Sequence, residues 1–220
     1  WKESKKTRPL PMPKLNSKFF LKKPSNTILF VLTNKSRYII RFCQSSQGSK
    51  AIIDNVKFPI IFLQSLKFFE NVRIRHLKQQ NNNKWNIKGR IEKHFPLVKE
   101  DQNPSYYDSL SKCCLAVFDH FGTPFLESVQ ANVPSIVFIN KSSYLFRKEF
   151  TPFVEKMIQE KILFYNPEEA AIHVNQNYND IVEWWKGDSL QKLVQDFVRL
   201  HAYTTEDWMD IWCEEFLNDN

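Results

Sequence analysis

The residues with the greatest chemical potential lie in CCLAVFDHFGTPFLESVQANVPSIVFIN, positions 113–140. Asp119 and His120 close an apolar run, Gly122-Thr123-Pro124 follows, and Glu127 comes about one turn later. The pattern reads as a strand, a tight turn and the start of a helix. In open parallel sheets, ligands collect at the carboxyl ends of the strands. A helix that starts there aims unsatisfied N–H groups and positive partial charge at the same point, which suits phosphate. Gly122 lets the backbone approach a ligand closely, Thr123 is expected to cap the helix, and Pro124 fits its first position.

Glu127 has three competing readings. With Thr123 as the cap, a capping-box acid belongs at 126, where Leu126 stands. A carboxylate at 127 can accept hydrogen bonds from both hydroxyls of a ribose, it can be a solvated helix glutamate, or it can be buried and paired with a core Arg or Lys. Spacing alone favours the solvated reading, because the stretch is neither a Walker loop nor a GxGxxG fingerprint. His120 at the strand tip can bond a phosphate or assist proton transfer, and the bland alternative is a satisfied structural histidine. Arg73, Arg75 and Arg147 can neutralise diphosphate charge, with surface arginine as the competing reading for each.

Alternating apolar runs and helical patterns must position these residues. Thr27–Thr33, Val72–Arg75, Cys114–Asp119, Ser135–Ile139 and Ile162–Tyr165 read as strands. Helical spacing joins Ile60, Leu63, Leu66 and Phe69, and a helical turn fits Ser105–Lys112. A helix is expected over Thr123–Asn132, and another over Leu145–Lys161 that Pro152 kinks or divides. Pro167 suits the first turn of a helix whose acids sit at its positive end. The Trp184-Trp185 pair, and Trp208, Trp212 and Phe216 at four-residue spacing, read as stripes that dock closing helices. The fold class that follows is α/β: a parallel sheet covered by helices on both faces, with a helical carboxyl terminus.

Composition sets the outer bounds. The chain has 220 residues, 42% of them hydrophobic, which is enough to bury a core. Its apolar runs fall short of the roughly 20 residues that a membrane span needs. Four cysteines without CxxC spacing read as buried thiols in a reducing cytosol, and the five histidines show no pairing with them that would suit zinc. The net charge of +7 hides an asymmetry: residues 1–100 carry 22 Lys+Arg against 5 Asp+Glu, and residues 101–220 carry 9 against 19. A basic half suits an anionic partner such as a nucleotide diphosphate, a lipid phosphate at a membrane surface, or nucleic acid. Nucleic acid is the weakest of these, since no RNP, KH or helix-turn-helix signature is present. Residues 1–26, with eight Lys+Arg and four Pro, read as an extended linker or arm, and 27–220 as one domain.

The stretch FDHFGTPFLESVQANVPSIVFIN resembles a family of transferases found in bacterial surface-polysaccharide (O-antigen) clusters, including those of Leptospira. The likeness continues through Tyr144 and Arg147, KILFYNPEEAAIHVNQNY, the Trp184-Trp185 pair and the terminal helices, with a weaker match at TILFVLT and VRIRHL. That family is similar to GT-B glycosyltransferases and to CDP-glycerol-type glycerophosphotransferases. The resemblance implies a Rossmann-like, GT-B carboxyl-terminal half that binds a nucleotide-activated sugar or polyol phosphate, with no metal or other cofactor. It implies that Gly122 and Thr123 face the donor phosphates and that Glu127 holds the ribose. Many retaining GT-B enzymes carry two glutamates with seven residues between them, and Asp119 stands in the first position, where it would touch the donor sugar. The glycerophosphotransferases show a Ser pair where this chain has Gly122-Thr123, so the donor and the stereochemical outcome stay open. The implied setting is the cytoplasm or the inner face of the membrane, with a glycan or lipid-linked acceptor. An acceptor-binding amino-terminal domain would lie outside these residues, which alone would turn over little. Nucleotide-sugar epimerases share the domain plan, and a nucleic-acid module using the basic half is the non-enzymatic alternative.

Overall fold

A computed structural model describes residues 9–15, 25–33, 49–76 and 86–218. Six strands form one sheet in which every pairing is parallel: β1 (Ile28–Leu32), β2 (Val72–His76), β3 (Lys99–Glu100), β4 (Leu115–Phe118), β5 (Ser135–Phe138) and β6 (Leu163–Phe164). Their order is β3-β2-β1-β4-β5-β6, the doubly wound Rossmann arrangement. The helices are α1 (Ser49–Ser65), α2 (Ile87–His94), α3 (Tyr106–Leu110), α4 (Thr123–Gln130), α5 (Thr151–Gln159), α6 (Pro167–Asn177), α7 (Ile181–Trp185), α8 (Asp188–His201) and α9 (Trp208–Asn218).

The sequence explains why β1, β4 and β5 are central. Each is an unbroken apolar or small-residue run, and every residue of ILFVL, LAVF and SIVF is buried, as strands covered on both faces require. Alternation along β1 feeds two cores. Ile28, Phe30 and Leu32 join Phe62 and Leu63 of α1, Ile91 of α2 and Val174 of α6 on one face. Leu29 and Val31 join Leu110 of α3, Phe125 and Val129 of α4, Met157 of α5 and Phe197 of α8 on the other. Phe30, Phe62 and Phe138 form a closed triangle with ring centroids 5.2 to 5.8 Å apart.

The β4–α4–β5 unit has the expected form, with Ala116 opposite Ser135 and Phe118 opposite Val137. Asn132, at φ 55°, turns the chain between α4 and β5, and its side chain accepts the indole N–H of buried Trp185 at 2.8 Å. Asparagine tolerates this left-handed conformation better than most side chains.

Several expectations change. The helix expected from Leu145 starts only at Thr151, after a short 3₁₀ turn at Lys148–Phe150, and Leu145 is fully exposed. Pro152 lies in the first turn, where its missing N–H costs nothing, so it opens the helix and does not kink it. The helical spacing from Ile60 ends with α1 at Ser65, and Phe69 begins a separate 3₁₀ turn. Part of the basic segment is no free arm, because Leu15 is 2% exposed and its turn lies against α4. Met12 N–H also donates to the Tyr203 carbonyl, and the Trp212 indole to that of Pro11. The α9 stripe is therefore docked at Trp212, whereas Phe216 remains largely exposed. Cys113 and Cys114 are buried free thiols, but Cys213 is exposed; Cys43 and the polar run at 79–83 lie outside the described residues. No helix among the described residues is long and apolar enough to cross a membrane.

The aromatic triangle gives the first test. Phe62→Ala removes a ring that is 0% exposed and should cost about 3–5 kcal/mol of stability. Urea denaturation should show a lower midpoint at unchanged slope; a loss under about 1 kcal/mol would contradict the packing described.

Candidate functional site

The strand order reverses between β1 and β4, and such a switch point opens a crevice at the carboxyl ends of the strands. Thr33 follows β1 and Asp119 follows β4. Asp119 Oδ1 accepts hydrogen bonds from the Thr33 amide at 2.8 Å and the Thr33 hydroxyl at 2.7 Å. The same oxygen lies 2.9 Å from His120 Nδ1. An ionised carboxylate only accepts, so Nδ1 carries the hydrogen and Nε2 is left for other partners. Asp119 Oδ2 is buried and has no hydrogen-bond partner among the described residues.

Beside this tie lies a cavity of about 750 Å³. Thr33, Arg75 and His76, the Glu100–Pro104 loop and Tyr106 line one side, and His120, Thr123, Pro124 and Glu127 the other. Four of the residues singled out in the sequence, Arg75, His120, Thr123 and Glu127, therefore meet in one cavity. Asp119 stands behind His120, and Gly122 forms the boundary of α4. Two others are not brought here. Arg73 donates to the carbonyls of Glu70 and Val72 near the amino end of β2. Arg147 is exposed before the 148–150 turn and does not line the cavity.

The start of α4 differs from the sequence expectation by one residue. Gly122 is the N-cap and Thr123 the first helical residue, because the Gly122 carbonyl accepts from both Phe125 and Leu126. Gly122 offers no side chain to cap the helix, and Thr123 in its first turn belongs to the cavity wall. Gly122 has extended dihedrals that any residue adopts; its requirement is steric. A Cβ there would stand 2.7 Å from His120 Cδ2 and 3.0 Å from Nε2. The imidazole thus lies directly against the amino end of α4.

Glu127 is 4% exposed, which removes the solvated-surface reading. Its neighbour Tyr106 donates its hydroxyl to the Pro124 carbonyl at 2.6 Å and so clamps the first turn of α4. Burial, and then the Glu127 charge, hold the Tyr106 phenol well above its usual range, so it remains a donor. Tyr106 went unnoticed in the sequence, although Ser105 and Asp108 form the capping box that fixes the start of its helix.

The opposite wall is built on Asp101. Its Oδ2 accepts from Arg75 Nη1 and from the Ser109 hydroxyl, and its Oδ1 accepts from the Asn103 side chain. Burial pushes the carboxyl upward, but the bonds from Ser109, Arg75 and Asn103 outweigh it and hold the group below the usual carboxylate range. Glu100 is paired with Lys88 at 2.7 Å. The wall therefore combines internally compensated ion pairs with carboxylate and amide groups suited to ligand hydroxyls.

A depressed carboxyl stabilises the fold at pH values above its unfolded pKa, and that contribution is lost as pH falls through the folded one. Asp101→Asn should cost on the order of 3 kcal/mol at neutral pH, because it leaves Arg75 without its charge partner. The difference from wild type should shrink as the pH is lowered below about 4, the ordinary range for aspartate. Chemical denaturation at pH 7 and pH 3 checks this; a penalty independent of pH would refute the charge assignment.

A family profile described as LIC12162 family transferase matches residues 1–216, so the likeness takes in the basic first half as well as the site. No curated protein matches the chain. With its doubly wound sheet and its cavity at the strand switch point, the chain belongs to the LIC12162 family of transferases.

Proposed function

We propose that this transferase binds a nucleotide-activated donor, a nucleotide sugar or a nucleotide-linked polyol phosphate, in the cavity between β1, β2 and α4, with a GT-B-like mode of action. The observation that carries the reading is Glu127, nine-tenths buried yet lining the same wall as Thr123 and His120. Its carboxylate can accept from both ribose hydroxyls while the uncapped start of α4 and the Thr123 hydroxyl meet the phosphates. Arg75 adds charge at the far wall, although its pairing with Asp101 makes it as much a support as a ligand.

An acceptor hydroxyl would displace the nucleotide, forming its bond to the transferred group as the donor's bond to a phosphate oxygen breaks. Charge then develops on that oxygen, next to the donors at the α4 terminus, where preorganised hydrogen bonds act most strongly. Asp119 does not line the cavity, so its part in this scheme is to hold His120 and not to touch the donor sugar. Assembly of a surface polysaccharide on a glycan or lipid-linked acceptor, in the cytoplasm or at the inner face of the membrane, is the setting that this chemistry serves.

Calorimetric titration of UDP, CDP and GDP into the chain tests the reading through Glu127. Hydrogen bonds to a charged group contribute about 1.5–3 kcal/mol, so Glu127→Ala should weaken the preferred nucleotide by roughly tenfold to over a hundredfold. Glu127→Gln, which keeps one acceptor, should lose less. Unchanged affinity in both variants, for a nucleotide that the wild type binds, would exclude the ribose assignment.

A further inference from the structure

Asp119 and His120 form a unit that the donor-site reading leaves without a stated chemical purpose. Three hydrogen bonds converge on one buried oxygen of Asp119, two from Thr33 and one from the imidazole. The Thr33 pair fixes the carboxylate to the end of β1, so the carboxylate in turn fixes the ring. The second oxygen is buried, with no hydrogen-bond partner among the described residues. The ring is pressed against Gly122 so closely that a methyl group there would overlap it. Its side chain nevertheless keeps 19% of its surface exposed and lines the cavity. Because Nδ1–H is committed to Asp119, the cavity meets the Nε2 side of the ring, beside Thr123 at the start of α4.

We infer that His120 is a phosphate ligand of the donor, carried as an imidazolium between Asp119 and the donor's diphosphate, and that Asp119 is its positioning residue. This rests on the donor-site reading. Nδ1–H donates to Asp119 and Nε2–H to the phosphate oxygen that receives the electron pair when the bond to the transferred group breaks. The acceptor oxygen forms the new bond and releases its proton to solvent, while His120 keeps its own proton and acts by hydrogen bond and charge. An imidazolium can donate from both nitrogens at once, which a neutral ring cannot do.

Among the described residues, the charged and titratable groups around the ring are Asp119 on its own strand end, Glu127 on α4, Arg75 and His76 on β2, Glu100 at the end of β3, Asp101 just after it, and Tyr106 on α3. Tyr144 approaches from the segment after β5, its hydroxyl accepting the Phe121 amide. Among these, only His76 is a second imidazole, and it stands 3.7 Å from Glu100. It is therefore the group that a test must separate from His120.

The probes are UDP-glucose, CDP-glycerol and GDP-mannose, whose diphosphate diesters do not titrate between pH 5.5 and 8, with uridine, cytidine and guanosine as phosphate-free controls. Binding is measured by calorimetry across that range, where imidazole ordinarily titrates. The preferred donor should bind wild type about tenfold or more tightly at pH 5.5 than at pH 8, and its nucleoside should show no such slope. His120→Gln should flatten the slope and weaken binding of the donor at pH 5.5 by about tenfold, leaving the nucleoside unaffected. Gly122→Ala displaces the ring without altering Asp119 and should do the same, as should Asp119→Asn; melting curves identify any variant that fails to fold, and the remaining ones decide. A slope that survives His120→Gln, or that disappears instead in His76→Gln, overturns the inference while leaving the donor site standing. Wild type that binds none of the three donors overturns both.

Discussion

One carboxylate oxygen holds the centre of this molecule together. Asp119 Oδ1 takes two hydrogen bonds from Thr33 and one from His120, at the junction where the chain's two windings diverge. The β1–β4 ladder sets the register of the two strands as far as Val31 and Phe118, and their exits at Thr33 and Asp119 are constrained past its end. The tie supplies this constraint across 86 residues of sequence. Helix α4, Gly122 and the imidazole follow from it. The ring can lie against the helix start only if its far nitrogen is anchored and the residue at 122 has no side chain.

The centre of the fold was legible in the sequence because its signals are local. β4 and β5 are apolar runs on either side of the helical pattern of α4, and Asp119 and Gly122 each have a positional meaning of their own between them. The cap was read one residue late, since Thr123 is the better capping side chain but Gly122 supplies the carbonyl that begins the helical ladder. The error matters chemically. A threonine spent as a cap would quench the helix terminus, whereas a threonine in the first turn beneath an uncapped end leaves it open.

Other features depend on contacts that no local pattern encodes. Arg73 and Arg75 are two residues apart on one strand and so share a face, yet only Arg75 reaches the cavity. A ligand site at the carboxyl end lies past Arg75, and Arg73 turns back to carbonyls at the strand's start. Tyr106 and Asp101 come from the preceding crossover, and their importance appears only when α3 is laid beside α4 and β2. The same holds for Leu15, which reads as part of a basic, proline-rich segment and is buried only because α4 lies beneath it. A proline such as Pro152 is equally ambiguous until the start of its helix is known. Inside a helix it is a fault, and in the first turn it is a beginning.

Net charge describes the chain poorly at the scale of the cavity. The sequence is basic overall, yet the described wall holds Glu100, Asp101 and Glu127 against Arg75 and two histidines. Asp101 is compensated by Arg75, and Glu100 by Lys88. Among the described residues, the donors that would meet a phosphate in the proposed site are short-range ones, at the start of α4 and on the anchored imidazole. Such groups discriminate by geometry more than by charge alone. A cavity that relied on lysines would hold many anions loosely. On the reading proposed above, one that opposes a carboxylate to a helix start and an anchored imidazole would select a ligand with hydroxyls at one end and phosphate at the other, which is the chemical outline of a nucleotide.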